Sequence, residues 1–237
     1  MLIRFHVSNF LSFDEEVELS MIPGKTRKHP GHIVKGDGRH NIDILRSAII
    51  YGANASGKSN LVKAMEFARN LIVEGTRAKE SIPRTRFKLK EETLNKPSKF
   101  EFEFKVGERC YVYGFELDRQ RIYEEWLYEI RKTTETMLFE RETDSLGKTT
   151  VEFGKIEVKD EKEREYLDLY AGGMGIRPNQ LFLTESVDRD VQSFQSAYKW
   201  FVEKLIIIFP YSNYLDLPKI WFERDLGGTI IKYLEQL

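Results

Sequence analysis

The segment Ser47-Ala48-Ile49-Ile50-Tyr51-Gly52-Ala53-Asn54-Ala55-Ser56-Gly57-Lys58-Ser59-Asn60 constrains this chain more than any other, because it contains Gly-x-x-x-x-Gly-Lys-Ser. Ordinary residue usage makes a chance match in 237 residues roughly a one-in-a-hundred event, so the flanking pattern has to carry part of the reading. An apolar run, Ala48 to Tyr51, precedes the glycines. Leu61, Met65, Ala68 and Ile72 follow at helical spacing, with Lys63, Glu66 and Asn70 on the other side and Gly75 as a stop. A buried strand, a glycine turn and an amphipathic helix are therefore expected in that order.

Each residue type in the turn has a chemical reason. Gly52 and Gly57 permit torsions that let backbone N–H groups face phosphate oxygens, and the following helix N-terminus adds partial positive charge. Lys58 is placed to reach the β- and γ-phosphates of a nucleotide as the catalytic cation, and the Ser59 hydroxyl to ligate Mg²⁺. Gly52, Ala53, Asn54, Ala55, Ser56, Gly57, Lys58, Ser59 and Asn60 form the expected cofactor-binding set, with ATP and Mg²⁺ as cofactors. A plain glycine turn leaves the Lys58-Ser59 pair unexplained.

Composition sets the outer bounds. With 41% hydrophobic and 32% charged residues the chain reads as globular, and its apolar runs fall far short of the roughly 20 residues that cross a bilayer. One cysteine, Cys110, permits no intramolecular disulfide, so a cytoplasmic protein without membrane contact is expected. Lys+Arg total 37 against 38 Asp+Glu, so any phosphate chemistry must be local.

Residues 1–51 precede the loop and read as two strands, Leu2 to Ser8 and Val17 to Met21, around Asn9-Phe10-Leu11-Ser12-Phe13. A small-molecule kinase is disfavoured, because it would carry the loop near its start. A guanine-reading Asn-Lys-x-Asp is incomplete at Asn95-Lys96-Pro97-Ser98. The opening Ile-x-Phe-x-Val-x-Asn-Phe-x-Ser-Phe and the later Gly-x-Asn-x-Ser-Gly-Lys-Ser-Asn resemble the ABC-type ATPase heads of the SMC, RecF and OLD group, especially bacterial OLD-like and abortive-infection AAA-family ATPases. The strong part covers residues 1–75.

That resemblance implies an α/β P-loop NTPase core, ABC-ATPase-like, with an antiparallel β sub-sheet and the start of a helical lobe. It implies ATP hydrolysis in DNA repair or anti-phage defence, two heads closing as a homodimer or larger assembly, contact with duplex DNA, and an effector protein or domain. The non-enzymatic alternative is an ATP-gated DNA-binding or assembly module. The expected divisions are 1–76 (strands, loop and first helix), 77–165 (antiparallel sub-lobe) and 166–237 (strand and helical lobe).

In the middle, Phe100 to Val106 alternates without a fault and pairs with Tyr111 to Leu117 across Gly107-Glu108-Arg109. Ile122 to Ile130 and Thr136 to Arg141 continue a meander with one wet face, which puts the adjacent carboxylates Glu124 and Glu125 on opposite faces. Glu157 to Tyr166 reads as an exposed helix or linker, Ala171 to Asn179 as a loop and Leu181-Phe182-Leu183 as a short strand. A helix with Val191, Phe194, Tyr198, Phe201 and Leu205 on one face follows.

The resemblance to ABC heads implies a glutamine after such a strand, in contact with Mg²⁺ and the attacking water; this sequence has Thr184-Glu185-Ser186 there, and Glu185 is the candidate. The hydrophobic strand ending in Asp-Glu that hydrolysis needs is missing, so the expectation is an N-terminal portion of a longer ATPase, or an ATPase whose remaining parts come from another polypeptide, with a helical face of Ile230, Leu234 and Leu237 at its end. His29, His32, His40 and Cys110 read as unrelated residues rather than a zinc set, since Pro30 breaks the helical spacing. Arg27 or His32 beside the nucleotide, and Arg77, Lys79, Arg84, Arg86, Lys88 and Lys90 as a DNA-backbone surface, complete the expectations.

Overall fold

A computed structural model describes residues 1–25, 28–36, 42–130 and 134–210 of the chain. Its centre is an antiparallel sheet built by residues that alternate apolar and polar. In β5 (Ser98–Val106) Phe100, Phe102 and Phe104 are buried on one face while Lys99 and Glu101 lie on the other. Alternation of the same kind forms β1 (Leu2–Ser8), β6 (Arg109–Leu117), β7 (Ile122–Ile130) and β8 (Glu135–Thr143). The edges are β2 (Val17–Ser20) and β9 (Thr149–Phe153).

The seven strands run in the order β2-β1-β5-β6-β7-β8-β9, and every pairing is antiparallel. The predicted hairpin at Gly107 and the meander through Ile130 are present at these positions. What joins them is unforeseen: β1 lies directly beside β5, with Phe5 opposite Phe102. A two-stranded ribbon, β3 (Ile33–Val34) with β4 (Ile44–Leu45), closes a small apolar cluster of Ile3, Ile44 and Cys110 at one end.

One face of the sheet carries the core. Helix α1 (Lys58–Glu74) buries Leu61, Ala64, Ala68, Leu71 and Ile72, and stops at Gly75, whose φ of 68° suits a residue without Cβ. Helix α2 (Glu161–Ala171) begins at Asp160, whose carboxylate accepts from the Glu163 amide at 2.8 Å. Helices α3 (Phe182–Asp188) and α4 (Gln195–Glu203) complete the layer. Trp200 stacks on Phe104 at 4.3 Å between centroids, and Phe201 meets Phe102 edge-on at 5.2 Å. Each such aromatic contact adds about 0.5–1.5 kcal/mol to the area term.

Three expectations are corrected here. Leu181 to Leu183 is not a strand: Phe182 opens α3. The apolar run before the glycine loop is not a buried strand either: residues 47–51 form no strand, with Ile49 87% and Tyr51 90% exposed. The P-loop NTPase, ABC-ATPase-like fold is therefore corrected to a mixed α/β fold on an all-antiparallel sheet, because a parallel core needs that run to pair with parallel neighbours and no described strand pairs so. Periodicity shows that a segment is apolar; it does not show which strands exist to receive it.

Candidate functional site

The loop at residues 52–57 is exposed down to Gly57, which caps α1 with φ 92° and no side-chain bond to the helix N-terminus. Ala55 also lies in the left-handed region, at φ 62°. The loop closes on the Lys58 side chain, whose ammonium donates to the carbonyls of Gly52 at 2.8 Å and Ala53 at 2.6 Å, with the Ser56 hydroxyl at 3.4 Å. Ser59 is exposed in the first turn, and the Asn60 amide donates to Gly57 O at 2.9 Å. The nine predicted residues thus form one continuous rim around a helix N-terminus. A cation is folded over its mouth, and the first-turn amides and helix dipole add positive potential.

Ser12 is the neighbour that sequence reasoning missed. A Cβ placed on Gly57 would sit 3.0 Å from the Ser12 hydroxyl and 3.8 Å from the Phe13 ring, so the link after β1 forms one wall of the loop and keeps position 57 small. That link is held by Asn9, itself at φ 47°. The Asn9 amide donates to the carbonyls of Thr93, Lys96 and Pro97, and its side-chain oxygen accepts from the Phe87 amide. The one signal for it is Asn9 in the Asn9-Phe10-Leu11-Ser12-Phe13 string, a residue type that favours turns, and nothing in the string names the groups it bonds.

The described structure overturns the nucleotide chemistry built on this loop. ATP and Mg²⁺ are corrected: among the described residues no three His, Cys, Asp or Glu side chains converge to hold a metal, and none of four prominent cavities is lined by residues 52–60. ATPase activity and the ATP-gated alternative are corrected with them, since the parallel sheet that would carry a hydrolytic carboxylate beside the loop is absent among the described residues. The kinase alternative fails on the same ground. Glu185 turns instead to Arg189 at 3.3 Å and the Tyr170 hydroxyl at 3.5 Å. His29 and His32 are exposed, while Arg27, His40, Ile230, Leu234 and Leu237 lie outside the described residues.

The DNA surface is corrected, since Arg77, Arg84, Arg86 and Lys90, four of its six cations, already have partners within the chain. Arg84 is buried and donates to Ser98 and to Lys96 O at 2.7 Å each. Arg86 donates to Phe87 O and Thr93, Lys90 pairs with Asp14, and Arg77 lies 3.8 Å from Glu80. The homodimer closing on ATP and the effector partner are corrected as well, because the nucleotide site that would organise them is not formed by the described residues.

A second polar centre lies under the sheet. Glu125 on β7 is buried, and its carboxylate accepts from the amides of Phe182 at 2.6 Å and Leu183 at 2.9 Å and from the Tyr113 hydroxyl at 2.9 Å. Burial pushes this carboxyl up, against the pull of the Arg141 guanidinium and the two amides. Arg141 donates to Ile122 O and Pro178 O, and burial lowers its pKa to about 10. The centre ties α3 to the sheet, which is a structural task.

Residues 47–170 match a family model described as "AAA domain, putative AbiEii toxin, Type IV TA system". No curated protein and no solved structure matches the chain.

Proposed function

Because the chain belongs to the AAA-domain family that residues 47–170 match, with its link to toxin–antitoxin systems, we propose that residues 52–60 bind the phosphate group of a phosphorylated ligand. In this reading the chain is a binding module. The supporting observation is the Lys58 ammonium held over the α1 N-terminus by the Gly52 and Ala53 carbonyls, 2.8 and 2.6 Å away. A phosphate oxygen entering the loop takes over that ammonium and faces the uncapped first turn, while Gly57 admits the close approach. Ser12, on the loop wall, offers a further hydroxyl donor. Ser59 acts as a second hydroxyl at the helix start.

Within the family, the Ile3 to Phe13 pattern together with Gly52 to Asn60 supports kinship with the SMC, RecF and OLD group. A cytoplasmic setting is part of the proposal and rests on the free, buried Cys110. Among the described residues no helix is long and apolar enough to cross a membrane.

Titration of the chain with inorganic pyrophosphate, followed by calorimetry, tests the proposal. Saturable binding is expected, weakened about tenfold or more by Lys58→Ala, the scale of one lost charge-assisted hydrogen bond. Unfolding temperature should hardly change, because the Lys58 bonds are exposed. Absence of binding to the unaltered chain, or equal binding by the variant, rejects it.

A further inference from the structure

The face of the sheet turned away from the helices carries a charge pattern that folding alone does not favour. Glu116 on β6 stands directly opposite Glu124 on β7, which stands opposite Glu142 on β8. In the next row Glu140 stands opposite Glu152 on β9. Like charges directly across a ladder are destabilising. On the β1 and β5 half of the same face, acids are matched: Arg4 pairs with Glu103 at 2.8 Å and Lys99 with Glu16 at 3.0 Å. Among the described residues Glu116, Glu124, Glu142 and Glu152 form no ion pair.

An independent feature sits within this field. Gly114, in the middle of β6, is not at a turn and has no positive φ, yet a Cβ there would lie 2.4 Å from Cζ2 of Trp126. The glycine lets the half-exposed indole lie flat on the strand, and its N–H donates to Glu101 at 3.0 Å. The plate already attracts a cation, for the Lys99 ammonium is 5.8 Å from its centroid. Trp126 and the acids line one open hollow of about 580 Å³.

We propose that this face of β6–β9 is a docking surface for a lysine- or arginine-rich segment of another polypeptide, its cationic side chains meeting the carboxylate rows and one of them stacking on Trp126. Charge complementarity selects that occupant over a metal ion. The acids are spread over strands about 4.8 Å apart, whereas calcium needs oxygens converging at about 2.3–2.6 Å. No described group of acids converges so. An anionic strand of nucleic acid is repelled by the same rows.

The test titrates a deca-lysine peptide into the full chain, following Trp fluorescence, with deca-glutamate as control. Binding is expected to weaken steeply between low and physiological salt. The triple variant Glu116→Gln, Glu124→Gln, Glu142→Gln should lose affinity at least tenfold while its unfolding temperature stays level or rises. If that variant misfolds, Glu140→Gln with Glu152→Gln reads the second row alone, with a smaller loss expected. No binding by the unaltered chain, equal binding of deca-glutamate, or unchanged affinity in the folded variants overturns the proposal. So does saturable calcium binding that accounts for the fluorescence change.

Discussion

Glu124 and Glu125 are neighbours on β7 and carry the same side chain, yet the sheet places them in opposite electrostatic worlds. Glu125 points into the core, where two α3 amides and a tyrosine hydroxyl surround its carboxylate. Glu124 points to water, with Glu116 on one side and Glu142 on the other. Burial alone does not make a carboxylate costly, and exposure alone does not make it harmless; the partners decide. The inner acid is fully employed in joining two layers. The outer acid is exposed to repulsion that the fold tolerates.

Removing the inner acid should have the largest effect. Glu125→Ala leaves two buried amides and the Tyr113 hydroxyl without their acceptor, and it strips the buried Arg141 guanidinium, 4.0 Å away and already without a hydrogen-bond partner at Nε, of its counter-charge. Stripping one partner from a buried charged pair costs about 3–5 kcal/mol. Chemical denaturation should show a loss of that order, with α3 losing amide-exchange protection first. A loss below about 1 kcal/mol would mean the centre is not what fixes α3.

Gly114→Ala probes the outer face one step down in magnitude. The new Cβ cannot coexist with Trp126 in place, so the indole must lift from the strand and give up its bond to Glu101. Overpacking of this kind costs about 1–3 kcal/mol, reduced here because the ring can swing toward solvent. A red shift of tryptophan emission is the expected reading. An unshifted spectrum at full stability would show that the plate is not pinned by the glycine.

The same contrast explains which parts of the molecule were legible in its sequence. Alternation through Phe100, Phe102 and Phe104, and again through Ile122 to Ile130, is a local property, so residue order by itself places strands β5 to β7 and separates Glu124 from Glu125. The helix after Gly57 and its end at Gly75 are local in the same sense. The errors are non-local. Leu181 to Leu183 looks like a strand until Glu125, from another layer, captures the amides of Phe182 and Leu183 and starts a helix there. Ile49 and Tyr51 look like core until the sheet proves to have no place for them. At the candidate site, glycines and lysine announce themselves, whereas Ser12 reaches Gly57 only because Asn9 anchors the intervening turn to residues 93–97.

The smallest effect should come from Glu116, and its sign is the informative part. Burial and, after it, the charge of Glu124 raise the Glu116 carboxyl above its ordinary value. A carboxyl whose folded pKa exceeds its unfolded one binds its proton more tightly in the folded chain. Its contribution is therefore fully present below the unfolded pKa and is lost as pH rises through the folded pKa. Glu116→Gln removes the group that suffers this loss, so the variant should be more stable than the parent at pH 7, by about 0.2–1 kcal/mol. The difference should shrink as pH falls into the usual carboxylate range, where the parent is protonated too. Introducing Glu124→Gln first should reduce the gain, because part of the repulsion is then already gone. Unfolding curves at pH 7 and pH 4 for the parent, the two single variants and the double variant measure all of this. A destabilised Glu116→Gln at pH 7 would show that the outer row is held by interactions of its own, and the contrast between the two neighbouring glutamates would then be one of depth rather than of partners.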